Sequence, residues 1–343
     1  MSVRRALALG AAATLALTLA ACGQDDGEQP LSDDALVIYS GRNENLVGPL
    51  LDKLEEETGI DVQVRYGGSS ELAAQLLEEG DGTKADLFFS QDAGALGALA
   101  KGGRLETLPD ATTARVQEGF ADPNGRWVAT SARARVIAYD PAQAPEVTEM
   151  TTVDAVLDPR YKGKVGFAPT NASFQSFVTA LRVTKGEDGA RTWLEQFKAN
   201  EPKAYDNNIL VLDAVDSGQV ALGLVNHYYW YERVAEKGAA AVNAKIHFLD
   251  SDDPGALINV AGAGILAGSP QKDAAAKAID YLLSDEGQRY FADETAEYPV
   301  VPGITSTTHD LVPLEELEGS SVDLNALDSL EQTLALLDEV GLT

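Results

Sequence analysis

The sequence has one cysteine, three histidines and far fewer basic than acidic residues. One cysteine cannot form an internal disulfide, and no cysteine cluster is present for zinc. The 26 lysines and arginines against 54 aspartates and glutamates leave a net charge of −28, which argues against a nucleic-acid partner. G-x-S-x-G, P-loop and H-E-x-x-H motifs are also absent, so the sequence lacks these common signatures of enzymes.

The N-terminus has the pattern of an export signal. Two arginines precede an apolar stretch at residues 6–19, and Leu-Ala-Ala stands directly before Cys22, as in the bacterial lipobox. We therefore predict a lipoprotein signal peptide over 1–21, lipidation of Cys22 and an acidic flexible tether over 22–35. The alternative is an ordinary cleavage site beside an incidental cysteine. The prediction places the folded part outside the cytoplasmic membrane and anchors it by lipid to the outer face of that membrane.

The first part of the folded chain alternates strand and helix patterns. Short apolar or alternating runs predict strands at 36–40, 61–66 and 85–90. Amphipathic helices between them end at Gly59 and Gly80, and Ser69 and Ser70 are candidate caps for the second helix. This order predicts a parallel sheet with crossover helices.

A second region of the same kind begins near the middle of the chain, with strands predicted at 163–168 and 221–225. The sequence thus predicts an α/β protein of two lobes, each a mostly parallel sheet flanked by helices. Ligands of such sheets bind beyond the carboxyl ends of the strands. The residues that follow the predicted strands are 41–44, 91–92, 169–173 and 226–229.

Two adjacent tyrosines, Tyr228 and Tyr229, follow the predicted strand at 221–225. Consecutive side chains of a strand point to opposite faces, so the two phenols converge only if the chain has turned into a helix there. Paired phenol oxygens suit a hard trivalent cation, which favours their deprotonated form. The alternative is an aromatic cluster that packs one lobe on the other.

The sequence resembles a known family, the ferric-iron-binding periplasmic proteins of ABC importers. The resemblance runs from about residue 36 to about residue 303. It is carried by six segments in order: Tyr39-Ser40-Gly41-Arg42, Ala85-Asp86-Leu87-Phe88-Phe89-Ser90, Pro169-Thr170-Asn171-Ala172-Ser173-Phe174, Asn226-His227-Tyr228-Tyr229-Trp230-Tyr231, Asp253-Pro254-Gly255-Ala256-Leu257 and Glu297-Tyr298-Pro299-Val300.

The resemblance implies a two-lobed periplasmic-binding-protein fold with the ligand cleft between the lobes. It assigns 36–132 and 259–308 to the N-terminal lobe, and 133–258 and 309–343 to the C-terminal lobe. It further implies a monomer that is not an enzyme and that delivers Fe(III) to an ABC transporter permease.

The resemblance also implies site residues. The family's iron-binding tyrosine pair falls on Tyr228 and Tyr229. A synergistic anion (phosphate, carbonate or similar) would lie on a loop that opens a helix and on two asparagines. The matching positions are Asn171, Ala172, Ser173, Asn208 and Asn226. A helix N-terminus binds anions through its free N–H groups without needing a basic side chain.

The chain departs from the family pattern in the N-terminal lobe. Asn43 and Gln91 stand where the phosphate-using branch has a histidine and a glutamate, and neutral amides are weak ligands for Fe(III). Glu44 and Asp92, one residue along, are further candidate ligands. Alternatively, Asn43 caps the following helix and Gln91 only lines the cleft.

Two other functions remain open from the sequence. The same scaffold with neutral first-lobe residues suits a phosphonate or phosphate ester without metal, although we expect no lysine or arginine cluster near the cleft. An exported enzyme is the second alternative, but no nucleophile stands at a recognisable spacing from a base.

Overall fold

The computed structural model describes residues 34–117, 119–250, 253–314, 316–317 and 322–343. The signal peptide, Cys22 and the tether up to residue 33 lie outside these ranges, so the predictions for them stay predictions. Within the described ranges, no helix is both long and apolar enough to cross a membrane.

The described residues form strands and helices in alternation. The strands are β1 (Leu36–Ser40), β2 (Val62–Tyr66), β3 (Leu87–Ser90), β4 (Val128–Tyr139), β5 (Val165–Phe167), β6 (Lys203–Ala204), β7 (Leu222–Asn226), β8 (Lys245–His247), β9 (Ile258–Ile265) and β10 (Tyr298–Pro299). The α-helices are α1 (Glu44–Thr58), α2 (Ser69–Glu79), α3 (Ala93–Lys101), α4 (Asp110–Thr113), α5 (Ala172–Ala199), α6 (Asn208–Asp216), α7 (Tyr228–Lys237), α8 (Lys272–Leu282), α9 (Asp285–Asp293) and α10 (Leu330–Val340).

The helix ends follow the local sequence in most places. Gly59 adopts a left-handed conformation (φ 68°) that ends α1, and Gly80 ends α2, both as predicted. The expected caps of α2 are wrong, because this helix begins at Ser69 after Gly68 and has no side-chain cap. Gly186, with φ 72°, breaks α5 into two helical pieces.

Two sheets share one strand. The order is β2-β1-β3-β9-β4 in the first sheet and β4-β7-β5-β6 in the second. β1 is parallel to β2 and β3, and β5 is parallel to β6 and β7, which confirms a parallel part in each sheet. Each sheet also has an antiparallel part that the sequence analysis did not anticipate, built on β9, β4 and the short β8 and β10.

β4 joins the sheets because, at 12 residues, it is long enough to pair with a strand of each. Residues 128–134 pair with β9 in the first sheet, and residues 135–139 pair with β7 in the second. Separate hydrophobic cores form on the two sides: Leu50, Phe89 and Phe291 belong to the first, and Phe167 and Trp193 to the second. The chain therefore has two α/β lobes, as predicted for the fold class.

The C-terminal segment contacts both cores. Leu324 and Leu327 pack with the first core, whereas Leu336 and Leu337 of α10 pack with the second. This helix lies along α5. The leucine face of α10 is therefore a packing surface.

Candidate functional site

Loops at the carboxyl ends of four strands come together between the two sheets. We call residues 41–44 and 91–92, which follow β1 and β3, the first wall. Residues 169–173 and 226–229, which follow β5 and β7, form the second wall together with Asn208 at the start of α6. This edge is where open parallel sheets bind ligands.

The tyrosine pair stands where a strand turns into a helix. β7 ends at Asn226, which is buried, and α7 begins at Tyr228. Because the backbone has left the strand, the rings of Tyr228 and Tyr229 lie side by side, with centroids 4.1 Å apart and planes at 34°. The convergence expected from the sequence is confirmed.

Burial controls the acidity of both phenols. Tyr228 is 2% exposed and Tyr229 is 7% exposed. Burial, and then the neighbouring Tyr229, raise the pKa of Tyr228 well above its usual value. Burial also raises the pKa of Tyr229, opposed by hydrogen bonds with Tyr228 and Asn208 and reinforced by the charge of Glu232. The pair is therefore neutral until a cation displaces its protons.

His227 is a packing neighbour of this pair. Its Nδ1 accepts a hydrogen bond from the backbone N–H of Ala134 at 3.2 Å, and its ring stacks on Tyr298 at 4.6 Å. Burial lowers its pKa to about 4, so the ring is neutral. His227 is therefore a neutral packing residue beside the tyrosine pair.

A polar network opens α5 in the second wall. Asn171 Oδ1 accepts hydrogen bonds from Ser173 N at 3.0 Å and Ser173 Oγ at 2.7 Å. Asn208 Nδ2 donates to Ser173 Oγ at 3.0 Å and lies 3.3 Å from Asn171 Oδ1. Ala172, Ser173 and Asn208 are buried, and Asn208 Oδ1 has no hydrogen-bond partner within the described part of the chain. The helix start and its polar side chains suit an anion.

The first wall reaches this network through Gln91 and Asp92. Gln91 Nε2 donates to Asn171 Oδ1 at 3.5 Å. Asp92 caps α3 through Oδ1, which accepts from Ala95 N at 3.0 Å and from Ser176 Oγ at 3.2 Å. Its buried Oδ2 has no hydrogen-bond partner in the described ranges. Burial raises the pKa of Asp92, partly offset by the bond from Ala95.

Asn43 and Glu44 differ from Gln91 and Asp92 in that both are exposed. Asn43 Oδ1 accepts a hydrogen bond from Asn45 N at 2.9 Å and caps α1, the alternative role considered for it. Glu44 lies near Tyr66, whose pKa burial and then the charge of Glu44 raise to about 12. Of the four first-wall candidates, Gln91 contacts the second wall at Asn171, and Asp92 contacts α5 one turn further along at Ser176.

Sequence reasoning missed a buried charge cluster beside the tyrosines. Arg42 and Glu297 form a bidentate ion pair, with side chains 1% and 0% exposed, and Ser131 donates to the same carboxylate. Arg133 is 1% exposed, and its Nε and Nη1 have no hydrogen-bond partner within the described residues. The expectation of no arginine cluster near the cleft is therefore wrong.

The charges in this cluster act on the tyrosines and on each other. Arg133 and Arg42 both oppose the rise in the pKa of Tyr228. Burial would raise the pKa of Glu297, but the charges of Arg42 and Arg133 outweigh it and lower that pKa. Arg42 and Glu297 both lie in segments that carry the family resemblance, but nothing in the sequence pairs them, since they are 255 positions apart.

The donor set of the site is unusual for a metal centre. Within the ranges described, no group of three or more His, Cys, Asp and Glu side chains is arranged to hold a metal ion. A metal bound here must therefore use the two phenols with single carboxylates, amides or an added anion. Such oxygen donors suit hard cations.

The fold and sequence match known proteins. Residues 82–328 match the family model described as bacterial extracellular solute-binding protein. The major ferric iron-binding protein of Neisseria meningitidis is 35% identical over 310 residues, which cover 90% of this chain and 93% of that protein. The Fe(3+)-binding periplasmic protein of Serratia marcescens is 34% identical over 312 residues, 91% of each chain.

A solved structure agrees. Iron-bound HitA from Pseudomonas aeruginosa superposes with a TM-score of 0.84 at 34% identity, covering 90% of this chain and 99% of that one. The chain therefore belongs to the bacterial extracellular solute-binding protein family, among members named for binding ferric iron.

Proposed function

We propose that this protein binds Fe(III) between its two lobes and delivers it to an ABC transporter permease. The observation that carries the proposal is the pair of buried, adjacent phenols at the start of α7, facing the polar opening of α5. The similarity to ferric-iron-binding proteins over most of the chain supports the same cargo. The protein releases its cargo unchanged and is not an enzyme.

Tyr228 and Tyr229 bind the ion as phenolates and give up their protons to solvent. Gln91 contacts Asn171 and Asp92 contacts Ser176 of α5, so we assign the first-wall contribution to them rather than to the exposed Asn43 and Glu44. Opening of the lobes, or protonation of a phenolate, frees the ion for the permease.

A synergistic anion such as phosphate or carbonate completes the site. We place it on the first turn of α5, at Asn171, Ala172 and Ser173, with Asn208 and Asn226 beside it. The N-terminus of α5, with the amide donors of Asn208 beside it, supports an anion there. Loss of the anion is a further route to iron release.

The lobes and the anchor are part of the same proposal. We assign 36–132 and 259–308 to the N-terminal lobe and the remaining folded residues to the C-terminal lobe, since β4 changes partner strand after residue 134. The monomer is held on the outer face of the cytoplasmic membrane by lipid at Cys22. A Cys22→Ser variant should move from the membrane fraction to the soluble extracytoplasmic fraction, and unchanged membrane association would reject the anchor.

A phosphonate or phosphate ester without metal is the second candidate cargo. The observation in its favour is Arg133, whose buried guanidinium has unused donors beside the tyrosine pair. An anionic ligand would satisfy them. The relatives named for ferric iron make this candidate less supported.

Thermal unfolding of metal-free protein separates the two cargoes. Ferric citrate at 100 times its Kd should add about 2.7 kcal/mol of stability, a rise of roughly 4 °C in Tm for a folded chain of this size. Citrate alone, inorganic phosphate alone and methylphosphonate alone are the controls. Stabilisation by methylphosphonate but not by ferric citrate would replace iron with the second candidate.

A further inference from the structure

Glu232 stands one helical turn beyond the tyrosine pair on α7. It follows Tyr228 by four residues and Tyr229 by three, so all three side chains share one face of the helix. Helical side chains tilt toward the N-terminus, which leans the Glu232 carboxylate over the turn that carries the phenols. Its charge acts directly on Tyr229.

One oxygen of the Glu232 carboxylate lacks a hydrogen bond. Its Oε1 is buried and has no hydrogen-bond partner among the described residues. A buried carboxylate oxygen without a partner is costly, and native proteins seldom keep one without a role.

Cations near Glu232 are already engaged elsewhere. Arg42 is held by Glu297, and Arg233 is held by Asp213 with Glu236 at 3.6 Å from its Nε. Glu236, one turn further along α7, is exposed. Glu232 thus differs from Glu236, the other acid of its helix, because it is half-buried with its Oε1 shielded from solvent, and no ion pair of Glu232 is found within the described residues.

We propose that Glu232 coordinates the bound ferric ion, as a third oxygen donor from α7 beside Tyr228 and Tyr229. This inference rests on the proposed function. It accounts for the neutral amides at Asn43 and Gln91, because α7 supplies a carboxylate of the kind that Fe(III) prefers in addition to Asp92. Carboxylate and phenolate oxygens together form a hard donor set for a trivalent ion.

The test compares Glu232→Gln with Glu236→Gln, a matched change one turn along the same helix. Iron affinity is measured by competition with a chelator, and the phenolate-to-iron band is recorded in the visible spectrum. Glu232→Gln should lose at least about 100-fold in affinity, the upper range for residues that only support a ligand. Its band should move to longer wavelength, because a neutral amide leaves the iron more electron-poor. Glu236→Gln should match the wild type within about twofold.

Glu232→Asp keeps the carboxylate on a shorter stem and should fall between these two in affinity. Circular dichroism and denaturant unfolding of each metal-free variant establish that it is folded. Wild-type affinity and spectrum in Glu232→Gln would overturn the inference, as would weaker binding with an unmoved band. Failure of the wild type to bind iron would instead overturn the proposed function.

Discussion

The two walls of the site differ in what their side chains already bind. In the first wall, Asn43 caps α1 and Asp92 caps α3, so their polar atoms serve the fold. In the second wall, Tyr228 and Tyr229 lie at a helix start with their rings together and their protons retained. The comparison teaches that most of the side chains that we propose to bind the ion lie in the second wall, whereas Asn43 and Asp92 in the first wall also hold their own helices in place.

The largest effect should come from removing the phenols of the second wall. Replacing Tyr228 and Tyr229 together by Phe removes two anionic donors without changing the ring packing. If removal of each phenol lowers iron affinity by more than about 100-fold, the double variant loses more than about 10⁴-fold, or about 5.5 kcal/mol of binding free energy. Chelator competition measures this, with Tyr205→Phe as the matched control outside the pair. If the double variant kept its iron affinity, the phenols of the second wall would not be the main ion-binding groups.

Arg42, in the first wall, should matter mainly for folding. Arg42→Met leaves the buried Glu297 without its ion-pair partner, and breaking such a pair typically costs about 3–5 kcal/mol of stability. Urea unfolding of metal-free protein is the measurement. Arg191→Met, which breaks an exposed pair with Glu339, should cost about 1 kcal/mol or less. Equal costs for the two variants would contradict a structural role for the buried pair.

Acid should weaken the same buried pair. The pKa of Glu297 lies below its ordinary value of 4.5, so its contribution to stability is present above that pH and is lost as the pH falls through the folded-state pKa. Wild type and Glu297→Gln should therefore differ most in unfolding free energy at neutral pH and converge in acid. A difference that does not change with pH would show that the carboxylate's charge is not what stabilises this region.

The smallest effect concerns Asn43. Asn43→Ala removes the cap of α1 and should lower stability by about 1 kcal/mol, with iron affinity unchanged within about twofold. Asn45→Ala is the control at an exposed neighbour whose side chain is not the cap. A tenfold loss of iron affinity in Asn43→Ala would instead show that Asn43 contributes to iron binding.

Local patterns in the sequence predicted the local structure. The apolar run of β1, the glycine that ends α1 and the turn from β7 into the tyrosine pair depend on residues within a few positions of each other. Helix stops and strand alternation are properties of such short stretches. The side-by-side tyrosines could be expected for this reason.

Contacts between distant residues could not be predicted in the same way. The pairing of Arg42 with Glu297 and the sharing of β4 by both sheets depend on how the whole chain folds. Ser69 and Ser70 illustrate the limit. They read as helix caps, but Ser69 Oγ accepts from Gln91 N at 2.9 Å and Ser70 donates to Gln175 of α5. Serines that cap a helix and serines that contact distant parts of the chain lie in the same kind of local sequence, so only tertiary packing distinguishes them.

The most direct test of the account is a visible absorption titration of metal-free protein with ferric citrate. Fe(III) held by Tyr228 and Tyr229 should produce a phenolate-to-iron charge-transfer band that saturates at one ion per chain. A protein that remains colourless with ferric iron in the presence of citrate, carbonate and phosphate would contradict the claim that these two phenols bind the ion.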